Sequence, residues 1–398
     1  MTKKVAINWP CFTKEEADKV SSVLLSNKVN YWTGQEGREF EKEFASYVGV
    51  KYAIAVANGT VAIDLALMAL GIGANNGGSI KDEVIVTPRT FLASVSTVVN
   101  AGATPVFADV DLNSQNIEAN TIKNVLTSNT KAVIVVHLAG MPAEMDAIMG
   151  LSEKYNFFVI EDCAQAHGAR YKGQSVGSIG HIGAWSFCQD KIMTTGGEGG
   201  MVTTNDKLFW EKMWSYKDHG KSFDAVYNHD HPPGFRWLHE RFGTNWRMTE
   251  MQSCIGRIQL TKMDDWNKMR LENGAQLDQA AGHFECIRLV KVPDYINHAE
   301  YKHYMFIKPE KLAEGWSRDR IVDEISKRGV PCFQGSCSEV YLEKAFDNTS
   351  WRPQKRLLNA AELGETSLMF LVHPTLTQTE IDKTIEVMNL IFAEASAI

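Results

Sequence analysis

The feature that most constrains this chain is an alternation. Seven short runs rich in apolar and β-branched residues, Tyr52–Ala57, Glu83–Thr87, Pro105–Asp109, Ala132–His137, Phe157–Asp162, Ile182–Phe187 and Gly200–Thr204, are separated by helical stretches. Several are apolar at consecutive positions, as strands buried on both faces of a parallel sheet must be. Between the first two, Ala62, Leu65, Ala66, Ala69 and Leu70 fall at i, i+3, i+4, i+7 and i+8. That spacing makes one face of a helix, and Gly71 supplies its C-terminal stop. Asp146–Tyr155 reads as a similar helix before the fifth run. Strand–helix–strand order from Tyr52 to Thr204 predicts an α/β fold, a large mostly parallel seven-stranded sheet with helices on both faces.

Beyond Arg247 the pattern changes. A long helix is expected from Thr249 to about Ala281, then a strand at Tyr304–Ile307, a helix at Arg318–Arg328, a strand at Ser367–Val372 and a helix at Thr379–Ala393. The expected division is a large domain over 1–248, including the N-terminal segment, and a smaller C-terminal α/β domain over 249–398, entered by the long helix. Residues 220–244, polar, aromatic and punctuated by Pro and Gly, read as a surface loop.

Composition excludes several classes. Forty-one basic residues against 48 acidic ones leave a net charge of −7, not the footprint of a nucleic-acid binder. No stretch approaches the roughly 18 apolar residues of a membrane span. The opening MTKKVAINWPCF has no apolar core long enough for a signal peptide. Seven dispersed cysteines predict free thiols in a reducing cytoplasm. Cys332 and Cys337 are close in sequence, but no second Cys/His pair completes a zinc site, and no metal is expected.

In open α/β sheets ligands bind beyond the carboxyl ends of the strands, so the residues there carry the chemistry. After the first run stands Asn58-Gly59-Thr60, where a glycine and a hydroxyl at a helix start can hold a phosphate, or Thr60 can simply cap the helix. The fifth run ends in Glu161-Asp162, and a carboxylate there can face a buried cation or cap the next helix. The sixth is followed by Lys191 in the glycine-dense stretch CQDKIMTTGGEGG, whose glycines permit close backbone approach to a ligand. Taken together, the three ask for a ligand with a phosphate, a cationic ring nitrogen and an aldehyde. Pyridoxal phosphate has all three, with Lys191 as the amine that forms the Schiff base; binding of an unrelated phosphate ligand is the alternative.

Five collinear segments carry a resemblance: FEKEFASYVGVKYAIAVANGTVAIDLAL, TPRTFLASVSTVVNAGATPVFADVD, VIEDCAQAHGARYKG, GAWSFCQDKIMTTGGEGGMVTTN and GTNWRMTEMQSCIGRIQL. The chain resembles the DegT/DnrJ/StrS sugar aminotransferases, which have the fold-type I architecture of aspartate aminotransferase. The resemblance implies Lys191 as the catalytic, cofactor-carrying lysine and Asp162 as partner of the pyridine nitrogen. It implies Phe91 stacked on the ring, although a phenylalanine there could equally be core. Gln165 would sit beside the phenolic oxygen, with Gly59, Thr60 and Ser186 at the phosphate. Asn245 would reach the phosphate of the neighbouring subunit, which implies a homodimer with active sites at the interface. Arg247 could serve there or in a salt bridge. Trp32, His167 and Glu198 would lie near the substrate, though packing explains Trp32 and a core histidine explains His167 as readily. The implied reaction takes an amino group from glutamate, through the pyridoxamine form, to a nucleotide-linked keto sugar. The preferred substrate is dTDP-4-keto-6-deoxyglucose, giving dTDP-4-amino-4,6-dideoxyglucose for a surface polysaccharide such as an O-antigen. The alternatives are a 3-keto sugar, or the dehydratases of the family, which have a histidine where Lys191 stands. Lys302, where many members have histidine, and the segment GVPCFQGSCSEVYLEKAF, which lacks a usual His-Tyr-Pro pattern, depart from the family around the sugar.

Overall fold

The computed structural model describes Val5 and residues 9–397 apart from 232 and 235. Most of the MTKKVAIN stretch and two positions of the 220–244 loop therefore lie outside the described residues. Helices α1 (Lys14–Leu25) and α2 (Glu36–Val48) precede the sheet. Then come β1 (Tyr52–Val56), α3 (Gly59–Leu70), β2 (Glu83–Val86), α4 (Ala93–Asn100), β3 (Thr104–Phe107), α5 (Ala119–Val125), β4 (Thr130–Val136), α6 (Met145–Tyr155) and β5 (Phe158–Asp162). A two-residue hairpin, β6 (Arg170–Tyr171) and β7 (Gln174–Ser175), leads to β8 (Ile182–Ser186) and β9 (Gly200–Thr204). All seven expected runs are strands of one sheet, in the order β1-β9-β8-β5-β4-β2-β3.

The five strands from β8 to β3 are mutually parallel, and β9 alone runs against both its neighbours. Its reversal comes from connection length. Parallel neighbours need a crossover, whereas β8 and β9 are joined directly by residues 187–199 and pair antiparallel. That loop, with Lys191 in it, is thereby held at the sheet edge where β1, β2, β4, β5 and β8 also end.

Helix α3 buries Ala62, Ile63, Leu65, Ala66, Leu67 and Ala69, more than one face, because it is packed against β8 and β9 and flanked by α4 and α7 (Lys207–Lys217). Its N-cap is Asn58, whose side chain accepts from the Val61 amide at 3.0 Å, so the capping role open to Thr60 is taken by its neighbour. Gly71 ends the helix at φ 68°, the left-handed cap that glycine tolerates.

After the short α8 (Phe223–Tyr227), the helix expected from Thr249 to Ala281 is two, α9 (Glu250–Leu260) and α10 (Met263–Ala281). The Thr261 and Lys262 amides bond three residues back, to Ile258 and Gln259, and the Lys262 ammonium reaches Glu16 of α1 at 2.6 Å. The break is a tertiary feature that no helix-breaking residue announces. The C-terminal part adds β10 (Ile287–Leu289), β11 (Ile296–Asn297, paired with β6), β12 (His303–Ile307), α11 (Arg318–Lys327), β13 (Cys332–Phe333), α12 (Leu358–Thr366), β14 (Ser367–Phe370) and α13 (Gln378–Ala395). Its antiparallel sheet β10-β12-β14-β13 shares a core with α10, α11 and α13, built on Leu277, Met305, Ile321, Leu368 and Phe392. Val5 packs in this second core, its amide on the Gly329 carbonyl at 2.9 Å, although it falls within 1–248. No helix among the described residues is long and apolar enough to cross a membrane.

Adjacent residues on a strand point to opposite faces, and at the end of β5 this gives two neighbouring carboxylates different work. Glu161 accepts from the amides of Gly177, Ile179 and Gly180 at 2.9, 2.9 and 2.6 Å and meets His137 Nε2 at 3.0 Å. His137 Nδ1 accepts from the Ala143 amide, so Nε2 carries the hydrogen and donates. His137, Glu161 and Cys163 are close enough together to hold a metal ion, but these hydrogen bonds already occupy the histidine and the carboxylate. Glu161→Ala should strand those buried donors and lower unfolding stability by about 3–5 kcal/mol. Chemical denaturation checks this, and a loss below about 1 kcal/mol would show the network to be dispensable.

Candidate active site

At the shared strand edge lies a cavity of about 660 Å³. Gly59, Thr60, Phe91, Asp162, Gln165, Ser186, Lys191 and Glu198 line it, together with Asn58, Thr90, Ser94, Cys188 and Asp190. Separate connections of the chain thus deliver polar groups to one place. A second cavity, of about 540 Å³, shares Thr90, Phe91, Gln165, Asp190 and Lys191 with it and extends to Tyr301, Lys302, Tyr304, Ser336 and Cys337.

One end of the first cavity is built to hold an anion. The first turn of α3 comes so close to the end of β8 that a Cβ on Gly59 would stand 2.6 Å from the Ser186 Cβ. Only glycine allows that approach, which puts the Thr60 and Ser186 hydroxyls beside the unsatisfied amides of a helix start. The opposite demand comes from Asp162. Its carboxylate is buried and accepts from Ser94 Oγ at 2.8 Å and the Ala164 amide at 3.1 Å, yet it forms no ion pair among the described residues. Burial pushes its pKa up, against those two hydrogen bonds and the weaker pull of Lys191 and His137. A cation placed in the cavity would relieve that cost.

Lys191 is positioned by its loop. The Trp9 indole donates to the Lys191 carbonyl at 2.7 Å, and Thr194 is tied by its hydroxyl to the Phe187 carbonyl at 2.9 Å and by its amide to Gln259 at 2.8 Å. Gly196 and Gly197 take φ of 85° and 117°, conformations that require glycine, as the loop turns back into β9. The Lys191 ammonium lies 3.8 Å from Asp190 Oδ1, beyond hydrogen-bond range, and 5.2 Å from the centre of the Tyr301 ring. Tyr301 donates its hydroxyl hydrogen to Asp190 and so holds that carboxylate.

The remaining expected residues divide. Phe91 is 74% exposed on the cavity wall, which removes the core reading for it. Gln165 lines the cavity while its Oε1 accepts from the Ala139 amide at 2.8 Å. Glu198 also lines it, its carbonyl fixed by Thr195 and Gln252. His167 does not. It is buried against the Trp185 and Phe187 rings, and burial, with Lys191 adding, takes its pKa down to about 3, leaving it neutral. Trp32 likewise packs away from both cavities, among Tyr31, Trp214 and Tyr227. Asn245 is exposed and lies outside its own chain's cavity, and Arg247 is salt-bridged to buried Asp218 at 2.6 Å. Sequence reasoning missed Ser94, Asp190, Trp9 and Tyr301. Ser94 sits one helical step beyond Phe91 and could have been found by that spacing. Trp9 arrives from the far end of the chain with no local signal.

The residues fit a ligand with an anionic end, a cationic ring atom and an amine-reactive group. A family model for the DegT/DnrJ/EryC1/StrS aminotransferases matches residues 10–389. The chain belongs to that family. The aminotransferase of Psychrobacter cryohalolentis, a solved structure, is 61% identical with a TM-score of 0.94, covering 97% of this chain and 98% of its own. GDP-perosamine synthase of Caulobacter vibrioides is 35% identical over 97% of this chain and 98% of its own length. The dTDP-3-amino-3,6-dideoxy-α-D-galactopyranose transaminase of Aneurinibacillus thermoaerophilus is 32% identical over 95% of each. The protein is a sugar aminotransferase of the fold-type I class, and pyridoxal phosphate is its cofactor. Gly59→Ala in this aminotransferase should weaken cofactor binding roughly tenfold or more without unfolding it. Titration of the apoenzyme checks this, and unchanged affinity would mean that the close approach of α3 to β8 does not matter for the phosphate.

Proposed function

We propose that this aminotransferase moves the amino group of glutamate to a nucleotide-linked keto sugar, with dTDP-4-keto-6-deoxyglucose as acceptor and dTDP-4-amino-4,6-dideoxyglucose as product. The observation that carries the reading is Lys191. Its amine opens onto both cavities, one matching the cofactor and the other with room for a sugar. Gly59, Thr60 and Ser186 would hold the phosphate, Phe91 the ring face, Gln165 the phenolic oxygen and Asp162 the ring nitrogen. Bound there, pyridoxal phosphate supplies an aldehyde that carries the amino group and a ring that accepts electrons from the carbon being deprotonated. Lys191 would hold the cofactor, and its amine, when free, would take the proton from the donor's amine-bearing carbon and return it to the carbon on the other side of the transferred nitrogen. Ser94 and the Ala164 amide keep Asp162 aimed into the cavity throughout.

The likeness to the Caulobacter enzyme, a GDP-perosamine synthase, supports a nucleotide-linked amino sugar as product. The likeness to the Aneurinibacillus enzyme, named for a 3-amino sugar, favours a 3-keto acceptor as the second reading. A nucleotide-linked amino sugar is an activated glycosyl donor, so a glycosyltransferase would consume it, with a surface polysaccharide such as an O-antigen as destination. Homodimerisation is part of the proposal: Trp237 and Phe242 are 86% and 100% exposed on the segment leading to Asn245, and a second copy would cover them and receive Asn245. The seven free cysteines accord with a cytoplasmic location.

Incubated with glutamate and a panel of dTDP- and GDP-linked 4-keto and 3-keto sugars, the wild type should yield the 4-amino product fastest, read by mass spectrometry. Lys191→Ala should lower that rate by at least about a thousandfold. Retained activity would remove Lys191 from the mechanism, and faster amination of a 3-keto sugar would replace the 4-keto reading.

A further inference from the structure

The second cavity holds a cation that no carboxylate among the described residues pairs. Lys302 lines it, half-buried, with its ammonium 4.9 Å from the centre of the Tyr301 ring, and it forms no ion pair with any described residue. The acids around it are committed elsewhere. Asp190 takes the Tyr301 hydroxyl and faces Lys191, while Glu300 pairs with His303 at 3.2 Å and lies 3.5 Å from His298. Behind the same segment, Arg270 is fully buried and spends Nη1 on the Tyr301 and Glu300 carbonyls, with no carboxylate partner among the described residues. Burial brings the Lys302 ammonium down to about 8; Asp190 opposes this, and Arg270 and Lys191 add to it. An ammonium drawn out of water in this way is stabilised by any anion that enters.

We infer that Lys302 is a donor-binding residue that takes the α-carboxylate of the amino donor in the second cavity. The placement decides between two sources of an anion. The Lys191 and Lys302 ammonium groups stand against the same Tyr301 ring, at 5.2 and 4.9 Å from its centre. In an amino acid the carboxylate is attached to the very carbon that bears the reacting nitrogen. In a nucleotide-linked hexose the phosphate lies across the sugar ring from a 3- or 4-keto carbon. Lys191 and Lys302 line the same cavity and share the Tyr301 ring, which suits a small donor whose carboxylate and nitrogen are on one carbon. Tyr301 offers its ring to both amines while its hydroxyl engages Asp190.

This rests on the transamination reading above, and the experiment separates the two. Glutarate, glutamate without its amine, is titrated by calorimetry into the cofactor-loaded wild type, Lys302→Met and Lys302→Arg. In parallel, half-saturation is measured for glutamate in the first half-reaction and for the nucleotide sugar in the second. The expected result is at least roughly tenfold weaker glutarate and glutamate binding in Lys302→Met, with most of the loss restored in Lys302→Arg and a smaller loss in the sugar half-reaction, whose substrate shares the cavity. Equal glutarate affinity in wild type and Lys302→Met, or no glutarate binding at all, overturns the assignment. Weakening confined to the sugar half-reaction overturns it too and assigns the ammonium to the phosphate. A wild type that glutamate cannot convert defeats the transamination reading, while the glutarate titration still reports on Lys302.

Discussion

The site depends on a carboxylate buried without a cation. Asp162 stands at the end of a central parallel strand, held by Ser94 and the Ala164 amide, and its ionised form is penalised by burial. Two hydrogen bonds do not offset the several kcal/mol that desolvating such a charge costs. On the proposed reading the missing partner is the ring nitrogen of the cofactor, which would offset that cost. The same strand end shows the alternative next door, where Glu161 on the other face is satisfied by three amides and His137. One carboxylate builds the fold and its neighbour is left for chemistry.

Topology then sets everything around Asp162. Because β9 returns beside β8 without a crossover, the loop carrying Lys191 cannot leave the edge at which β5 and β1 end. Glycines do the local work: Gly59 lets α3 start against Ser186, and Gly196 and Gly197 let the loop fold back. The Lys191 carbonyl is anchored by Trp9, from a segment whose neighbour Val5 belongs to the second core. The two cores are thus tied together at Lys191, and Tyr301 closes the same joint from the C-terminal side.

Much of this was legible in the sequence where the physics is local. The seven strands announced themselves because strands buried on both faces must be apolar at consecutive positions. Asp162, Lys191 and Gly59 stand out because they lie at or just beyond the carboxyl ends of those runs. What failed was tertiary. The break at Thr261 and Lys262 arises in a stretch of good helix formers, where an ion pair to Glu16 accompanies the turn. Strands of two or three residues, such as β10 and β13, are too short to show a period. Trp32 and His167, for which packing was the competing reading, have their side chains in aromatic clusters, which no spacing along the chain distinguishes from a place at the substrate. Trp9 and Tyr301 had no signal, since each reaches Lys191 from a distant part of the chain.

The claim that the edge of this sheet is organised around one reactive amine has a direct test. The purified protein, loaded with pyridoxal phosphate, is reduced with borohydride, digested and sequenced by mass spectrometry. The pyridoxyl group is expected on the peptide containing Lys191, at that lysine and no other. Labelling at Lys302 or elsewhere, with Lys191 unmodified, would contradict it.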